Sequence, residues 1–315
     1  MGENVLFLLI LLVCIVETEA QYKIFNVITY NASSNGNTDN SEAFLKAWSD
    51  ACKWKGKSTI LIPNGTYTLR GPCNSSINFR LEGLLKAPID PKSFASDNWI
   101  NFKYVNKLMV GGGGSLDAQG AYAWKMNDCQ KNPNCRPLPT SMKFDYITNG
   151  YIHHMHSFNS KQSHFGLYRC NNMTLTKLQI KAPGDSPNTD GIKIGKSTGI
   201  NITSVNIRTG NDCISMLSGL KNVQIMDVYC GPGHGINIGS LGKYEDEEDL
   251  ADIIVKNCTF NGTSNGVRIK SYESQLNKTV VASNFIYEDI VMENVEYHIV
   301  IDQHYCSNSG ECNLL

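Results

Sequence analysis

Two aspartates and a histidine recur at one fixed interval. Asp190 and Asp212 stand 22 residues apart, and His234 follows after 22 more. Each opens a similar short pattern: Asn188-Thr-Asp190-Gly-Ile192-Lys-Ile194, Gly210-Asn-Asp212-Cys-Ile214-Ser-Met216 and Pro232-Gly-His234-Gly-Ile236-Asn-Ile238. Downstream, Asn265-Gly-Val267-Arg268-Ile269-Lys270 repeats the pattern after 31 residues and brings two cations. Carboxylates that share a site can divide acid and base work, one giving a proton and the other taking one. Neighbouring cations suit an anionic ligand. A ladder of stacked polar residues at solenoid turns is the competing reading, and spacing alone leaves the two open.

The elements that position these residues follow from the same interval. Periods of 20–50 residues built from short β-rich units point to a parallel β-helix. One coil returns the chain about 4.8 Å along the axis. Asp190, Asp212 and His234 therefore fall in one column, and Lys193, Ser215, Asn237 and Arg268 in the next. Alternation puts Lys270 on the face of Arg268, with Val267 and Ile269 turned inward. It would also put Asp190 on the side of the inward Ile192, so a turn must rotate the carboxylate outward; Gly191 and Gly235 are suitable places. The nine extra residues before Asn265 fall near Lys243–Asp249, an acidic run expected as a solvated loop and not a metal site. An N-terminal helix capped by Ser41 or Asp39, with Phe44, Ala47, Trp48 and Ala51 on its apolar face, should cover the open end of the first coil. Gly111–Gly114 reads as tight turns, since no Lys-Ser/Thr follows to make a phosphate cradle. Alternation separates His153 from His154 and His156, and a third metal ligand is missing.

Composition bounds the rest. The chain has 315 residues, 41% hydrophobic and 18% charged, with a formal net charge of −1. That excludes a strongly basic nucleic-acid binder as the default. Val5–Val16 is an apolar run too short to span a bilayer and of the right size for a signal peptide, so residues 1–20 are expected to be removed. The remainder, 21–315, carries +2 and is expected to be a single domain. Ten cysteines outside the leader favour disulfides: Cys129/Cys135 and Cys306/Cys312 as local loops, Cys213/Cys230 and Cys52/Cys73 as longer pairs, with Cys170 and Cys258 unassigned. Eight N-x-S/T sequons, among 33 asparagines, fit a secreted glycoprotein.

These motifs, taken in order, resemble the plant polygalacturonases, pectin-degrading glycoside hydrolases. The matches run almost end to end: Phe25-Asn-Val, Leu116-Asp-Ala-Gln-Gly120, Asn159-Ser-Lys161 with His164, Ser186–Ile192, Thr209–Cys213, Cys230–Gly235, Gly239–Gly242, Arg268–Lys270 and Asp302-Gln with Tyr305-Cys306. The pattern is most similar to exo-acting members. The resemblance implies an all-β, right-handed parallel β-helix, secreted to the plant cell wall, hydrolysing α-1,4-galacturonan by an inverting two-carboxylate mechanism. It implies that Asp190 and Asp212 are bases holding the attacking water, and that His234 lies near the scissile bond. Arg268 and Lys270 would grip a galacturonate carboxylate, and Tyr305 would contact sugar. No cofactor or metal is implied, and the partner is pectin, not nucleic acid or membrane, for a monomer.

Two departures shape the expectation. The family has two consecutive aspartates where this chain has Asn211-Asp212, and the first is its general acid. Asparagine has no titratable proton to give. Either Asp212 or Asp190 takes that role, or the chain is a catalytically weak or inactive pectin-binding relative. With no acid at position 211, leaving-group protonation should limit the rate, and Asn211→Asp is expected to raise turnover by about 10²–10⁴. The second departure is the ending soon after Tyr305, read as the absence of the last C-terminal coils. A third reading, a pectate lyase, would need calcium, and the strip offers no acidic cluster for it.

Overall fold

The computed structural model describes residues 22–63, 66–68, 77–94, 96–129, 132, 134–273 and 276–305. The leader, Cys73, Cys306, Cys312 and the sequons at Asn64 and Asn74 lie outside these residues. The chain winds as a right-handed parallel β-helix, and every strand pairing among the described residues is parallel. From Asn98 onward the coils also give strands to a small sheet, while the strands before Asn98 all belong to a larger one. The small sheet holds Asn98–Lys103, Thr140–Asp145, Phe165–Tyr168, Ile192–Gly195, Ile214–Met216, Ile236–Leu241, Asn265–Ser271 and Tyr297–Asp302 in that order.

The register is the one the 22-residue interval requires. Lys193 pairs with Ser215, Ser215 with Asn237, and Asn237 with Arg268, while Ile192, Ile214, Ile236 and Val267 stack inside. The long insertion between the coils of Ile236–Leu241 and Asn265–Ser271 forms the expected loop, with a difference. Glu247 is buried, and its carboxylate accepts from the backbone N–H groups of Gly242, Lys243 and Tyr244.

Strand alternation fails at the corners, for a conformational reason. Asn149, Asn172, Gly199, Asn222, Asp252 and Asn284 stack in register, and all have φ between +55° and +66°. Five residues on, His154, Lys177, Ser204, Asp227, Asn257 and Asp289 form a second left-handed column. Asn and Asp tolerate this conformation better than other side chains and can hydrogen-bond locally. Here they bond to the neighbouring coil: Asn172 Nδ2 donates to Asn149 Oδ1 at 2.6 Å and Asn257 Nδ2 to Asp227 Oδ1 at 2.6 Å. The same corner corrects the separation expected of the histidines. Left-handed His154 swings its ring to His153, and their Nδ1 atoms lie 3.0 Å apart.

The N-terminal helix, α1, spans Ser41–Lys53. Phe44, Ala47 and Ala51 are buried against the first coils, and Trp48 packs on Phe79 and Phe102. Its N-cap is Asn40, not Ser41 or Asp39, and the Asn40 side chain makes no capping hydrogen bond. Asn40 instead joins Ser33 and Thr38 through its amide. A second helix, α2, spans Gly120–Met126 and was not foreseen; seven residues are too few to show a helical period. Gly112 and Gly113 are turn residues, with φ of +121° and +83°. Cys129–Cys135 and Cys213–Cys230 are disulfides, and Cys170 and Cys258 are buried free thiols. In the last described coil, the inward positions Ile299 and Ile301 are 74% and 72% exposed.

Lys161 ties the N-terminal coils together from inside. It is 1% exposed, donates to the carbonyls of Pro88 and Ala118, and lies 5.3 Å from the centre of the Phe94 ring. Burial pulls its pKa down to about 8. Between pH 8 and the unfolded lysine's value near 10.4 the folded state then holds fewer protons than the unfolded one, so this group adds stability as pH rises. Lys161→Met is expected to lower unfolding free energy by about 1.5–3 kcal/mol, the worth of a hydrogen bond from a charged group. Guanidinium titrations should show the deficit widening from pH 7 to pH 9.5. A variant as stable as the parent at both pH values would refute the tether.

Candidate active site

Asp190, Asp212 and His234 each precede the small-sheet strand of their coil by two residues, and the pairing of Ile192, Ile214 and Ile236 stacks them. Backbone bonds fix the bends that hold them. His164 N donates to Asp190 O, Gly191 N to Asp212 O, and His234 N to Asn211 O, all at 2.8–2.9 Å. The glycines after the first and third site residues answer to crowding. A Cβ on Gly191 would sit 2.5 Å from the Cys213 carbonyl oxygen, and one on Gly235 would sit 2.2 Å from that of Gly266. Gly235 also has φ of +90°, whereas Gly191 needs only the space.

The carboxylates are more enclosed than a surface strip suggests. Asp190 is 7% exposed and Asp212 is 4%, while the His234 side chain stays about half exposed at the rim. Asp212 is surrounded by donors: Asn237 Nδ2 at 2.5 Å from Oδ1, Lys270 Nζ at 3.4 Å from Oδ2 and His234 Nδ1 at 4.0 Å from Oδ1. Asp190 has less help, from Lys193 Nζ at 3.8 Å and the Ser163 hydroxyl. Burial, with the charge of Asp212 adding to it, drives the Asp190 pKa up to about 6. His234 is pushed below the usual histidine value, chiefly by burial, with the cations Lys270 and Arg268 contributing.

Lys270 and Arg268 share the strip as their spacing requires, but neither is a bare surface cation. Lys270 is buried against Asp212, and the Arg268 guanidinium meets Asp302 at 2.9 Å. The Tyr305 ring lies 5.2 Å from the Arg268 guanidinium and 5.1 Å from Lys270 Nζ. Asn211, which precedes Asp212 in sequence, uses both ends of its amide on neighbouring groups. Its Oδ1 accepts from Asp212 N at 2.8 Å and its Nδ2 reaches Asn188 Oδ1 at 3.4 Å. One buried carboxyl with a raised pKa beside one ringed by donors can separate a proton donor from a proton acceptor.

Residues 52–314 match Glycosyl hydrolases family 28. This chain belongs to that family. It is therefore a glycoside hydrolase, in line with the motif resemblance. It is 44% identical to the exopolygalacturonase of Platanus acerifolia over 92% of this chain and 77% of that protein. The polygalacturonase of Gossypium barbadense is 43% identical over 94% of this chain and 74% of its own length. Among solved structures, the Thermotoga maritima exopolygalacturonase superposes with a TM-score of 0.79 at 18% identity, covering 91% of this chain and 77% of that one. The endo-xylogalacturonan hydrolase of Aspergillus tubingensis superposes with a TM-score of 0.77 at 25% identity, covering 90% and 77%.

The structure brings Asp190, Asp212, His234, Arg268 and Lys270 to one strip as the spacing requires, and adds contacts from Asn237, Ser163, Lys193 and Asp302 to which the sequence gave no role. Asn237 and Lys193 were visible in the register column; which atoms they touch was not.

The column depends on close coil approach at Gly235. Gly235→Ala puts a side chain on a left-handed residue against the Gly266 carbonyl, and strain of this kind costs about 1–3 kcal/mol. Thermal unfolding should show a melting temperature several degrees lower. An unchanged melting temperature would mean that the coil spacing at His234 is not tight.

Proposed function

We propose that this chain hydrolyses α-1,4-galacturonan, the acidic backbone of pectin, with Asp190 as general acid and Asp212 as general base. Family membership and polygalacturonase relatives support the substrate class. The contrast between the two aspartate environments supports the division of roles. Asp190, protonated at mildly acidic pH, gives its proton to the glycosidic oxygen as the bond to the anomeric carbon breaks. Asp212 takes a proton from a water whose oxygen bonds that carbon from the opposite face, and the two carboxyls return to their starting states through solvent. Arg268 and Lys270 favour a uronate over a neutral sugar or a methyl ester, Tyr305 offers a ring face to sugar, and His234 stands at the rim beside the reacting centre.

This assignment differs from the one the motif resemblance implies, in which Asp190 works with Asp212 as a base. The reason is Asn211, which has no proton to give and whose amide is already spent on Asp212 N and Asn188. That same observation favours a second reading, a pectin-binding relative without useful catalysis. A leader removed at residue 20 and export to the cell wall complete the proposal; no helix among the described residues is long and apolar enough to cross a membrane.

Release of reducing ends from polygalacturonate tests the assignment through pH. An acid with a pKa of about 6 is competent below that value and spent above it, so kcat/KM should fall as pH rises through 6. A rate that climbs through pH 6 would make Asp190 the base, and binding without release at any pH would select the second reading. Position 211 supplies an independent check. With Asp190 as acid, Asn211→Asp should change kcat by less than about tenfold, whereas a gain of 10²–10⁴ would show that the parent lacks its acid.

A further inference from the structure

Away from the strip, two histidines meet that the hydrolytic reading does not use. His153 and His154 belong to the strand Thr148–Phe158 of the larger sheet. Their Nδ1 atoms lie 3.0 Å apart. Both rings line a cavity of about 410 Å³, together with Met109, Arg80 and the turn Gly111–Gly113, and none of its lining residues belongs to the strip.

Each histidine is held by contacts other than the one between them. The His153 ring stacks on Tyr151, with the ring centres 4.8 Å apart. It also covers Gly111, where a Cβ would come 2.6 Å from its Cε1 and Nε2. His154 is set by the corner of the coil, with φ of +47° and a carbonyl that accepts from Gly113 N at 2.8 Å. The two rings stand nearly perpendicular, at 85°. Such a pair is arranged before any ligand arrives, which lowers the cost of binding one.

The contact itself identifies the ligand class. A bond between two imidazole nitrogens needs one to donate and the other to accept. A metal ion can take the place of that shared proton, each neutral ring then carrying its hydrogen on Nε2. Bonds from imidazole to a divalent metal run about 2.0–2.1 Å; two that meet at a right angle span about 2.8–3.0 Å, and two at the tetrahedral angle about 3.3–3.4 Å. The observed 3.0 Å fits the right angle, which belongs to tetragonal copper(II) or nickel(II) and not to tetrahedral zinc. Among the described residues no carboxylate lines the cavity, so calcium and magnesium lack their oxygen ligands. Met109 adds a thioether to the lining, a soft donor that suits copper. The nearby cations are Arg80, already met by Glu82 at 2.7 Å, and Lys177, so affinity must come from the nitrogen donors and not from charge.

We propose that His153 and His154 form a copper(II) site on the larger sheet, holding the ion through both Nδ1 atoms, with water completing its coordination. The site stands apart from the carboxylate column and does not rest on the galacturonan reading.

Calorimetric titration of the full chain with the chlorides of copper(II), zinc and calcium tests this in the parent, His153→Gln, His154→Asn and His156→Gln. Asparagine tolerates the left-handed corner, so circular dichroism should show His154→Asn folded. The parent should take up one copper ion that His153→Gln and His154→Asn each bind at least tenfold more weakly. His156→Gln, two residues beyond on the same strand, should bind like the parent. Copper should bind at least tenfold more tightly than zinc, and calcium should not bind. The paramagnetic resonance spectrum of the copper-loaded parent should be tetragonal with splitting from two nitrogens. A parent that binds no copper would overturn the site, as would variants of His153 and His154 that bind like the parent. An equal loss in His156→Gln would move the ion to another set of rings and overturn the Nδ1 pair. Should either variant fail to fold, the parent's spectrum decides alone: coupling to two nitrogens supports the pair, and its absence refutes it.

Discussion

The structure depends on one repeated requirement: each coil must bring its backbone back into hydrogen-bonding distance of the coil below. A spacing of about 4.8 Å leaves little freedom. Where two coils approach through a carbonyl, no side chain fits, and Gly191, Gly210 and Gly235 follow. Where the chain turns a corner in every coil, left-handed residues stack, and many of the asparagines are spent there. Where side chains project, like is placed over like. For apolar residues that builds a core of stacked isoleucines. For Asp190 over Asp212 it forces two carboxylates together, and their mutual repulsion adds to burial in driving one toward its neutral form.

Periodicity therefore made the column legible, because the interval of 22 is the coil length and register converts it to distance. Asp190, Asp212 and His234 stand where the count puts them, and so do Arg268 and Lys270. The failures share one cause. A count tells which residues stack but not which way a corner rotates them. His154 was separated from His153 by an alternation that its left-handed φ interrupts. The count puts Lys270 on the strip but does not tell that its ammonium is turned onto Asp212. Ser41 and Asp39 are ordinary helix caps by type, yet Asn40 holds the cap position and spends its amide on Ser33 and Thr38. At the helix start local propensity gave way to the bonds of Asn40 with Ser33 and Thr38.

The strip also shows how charge is shared out in a crowded polar site. Asp212 takes the shorter contacts with Asn237 and Lys270, and Asp190 keeps the longer one with Lys193. Asn237 is central to this division. It is fully buried, and its amide spans Asp212 Oδ1 and the carbonyl of His234, so it joins two members of the column that sit at different depths. An amide in this place lends a donor without adding charge to a site already crowded with carboxylates and cations.

The loop clasped by Glu247 carries a consequence for how such a chain can change length. One carboxylate satisfies three successive backbone N–H groups, so the excursion closes on itself before the chain re-enters the sheet. Asn237 and Arg268 meet in register across it as though nothing had been inserted. Phase is thus stored in the strands and not in the spacing between them. Such a clasp makes the turn a tolerant splice point, where segments can be gained or exchanged to reshape the rim of a groove while its floor keeps its alignment.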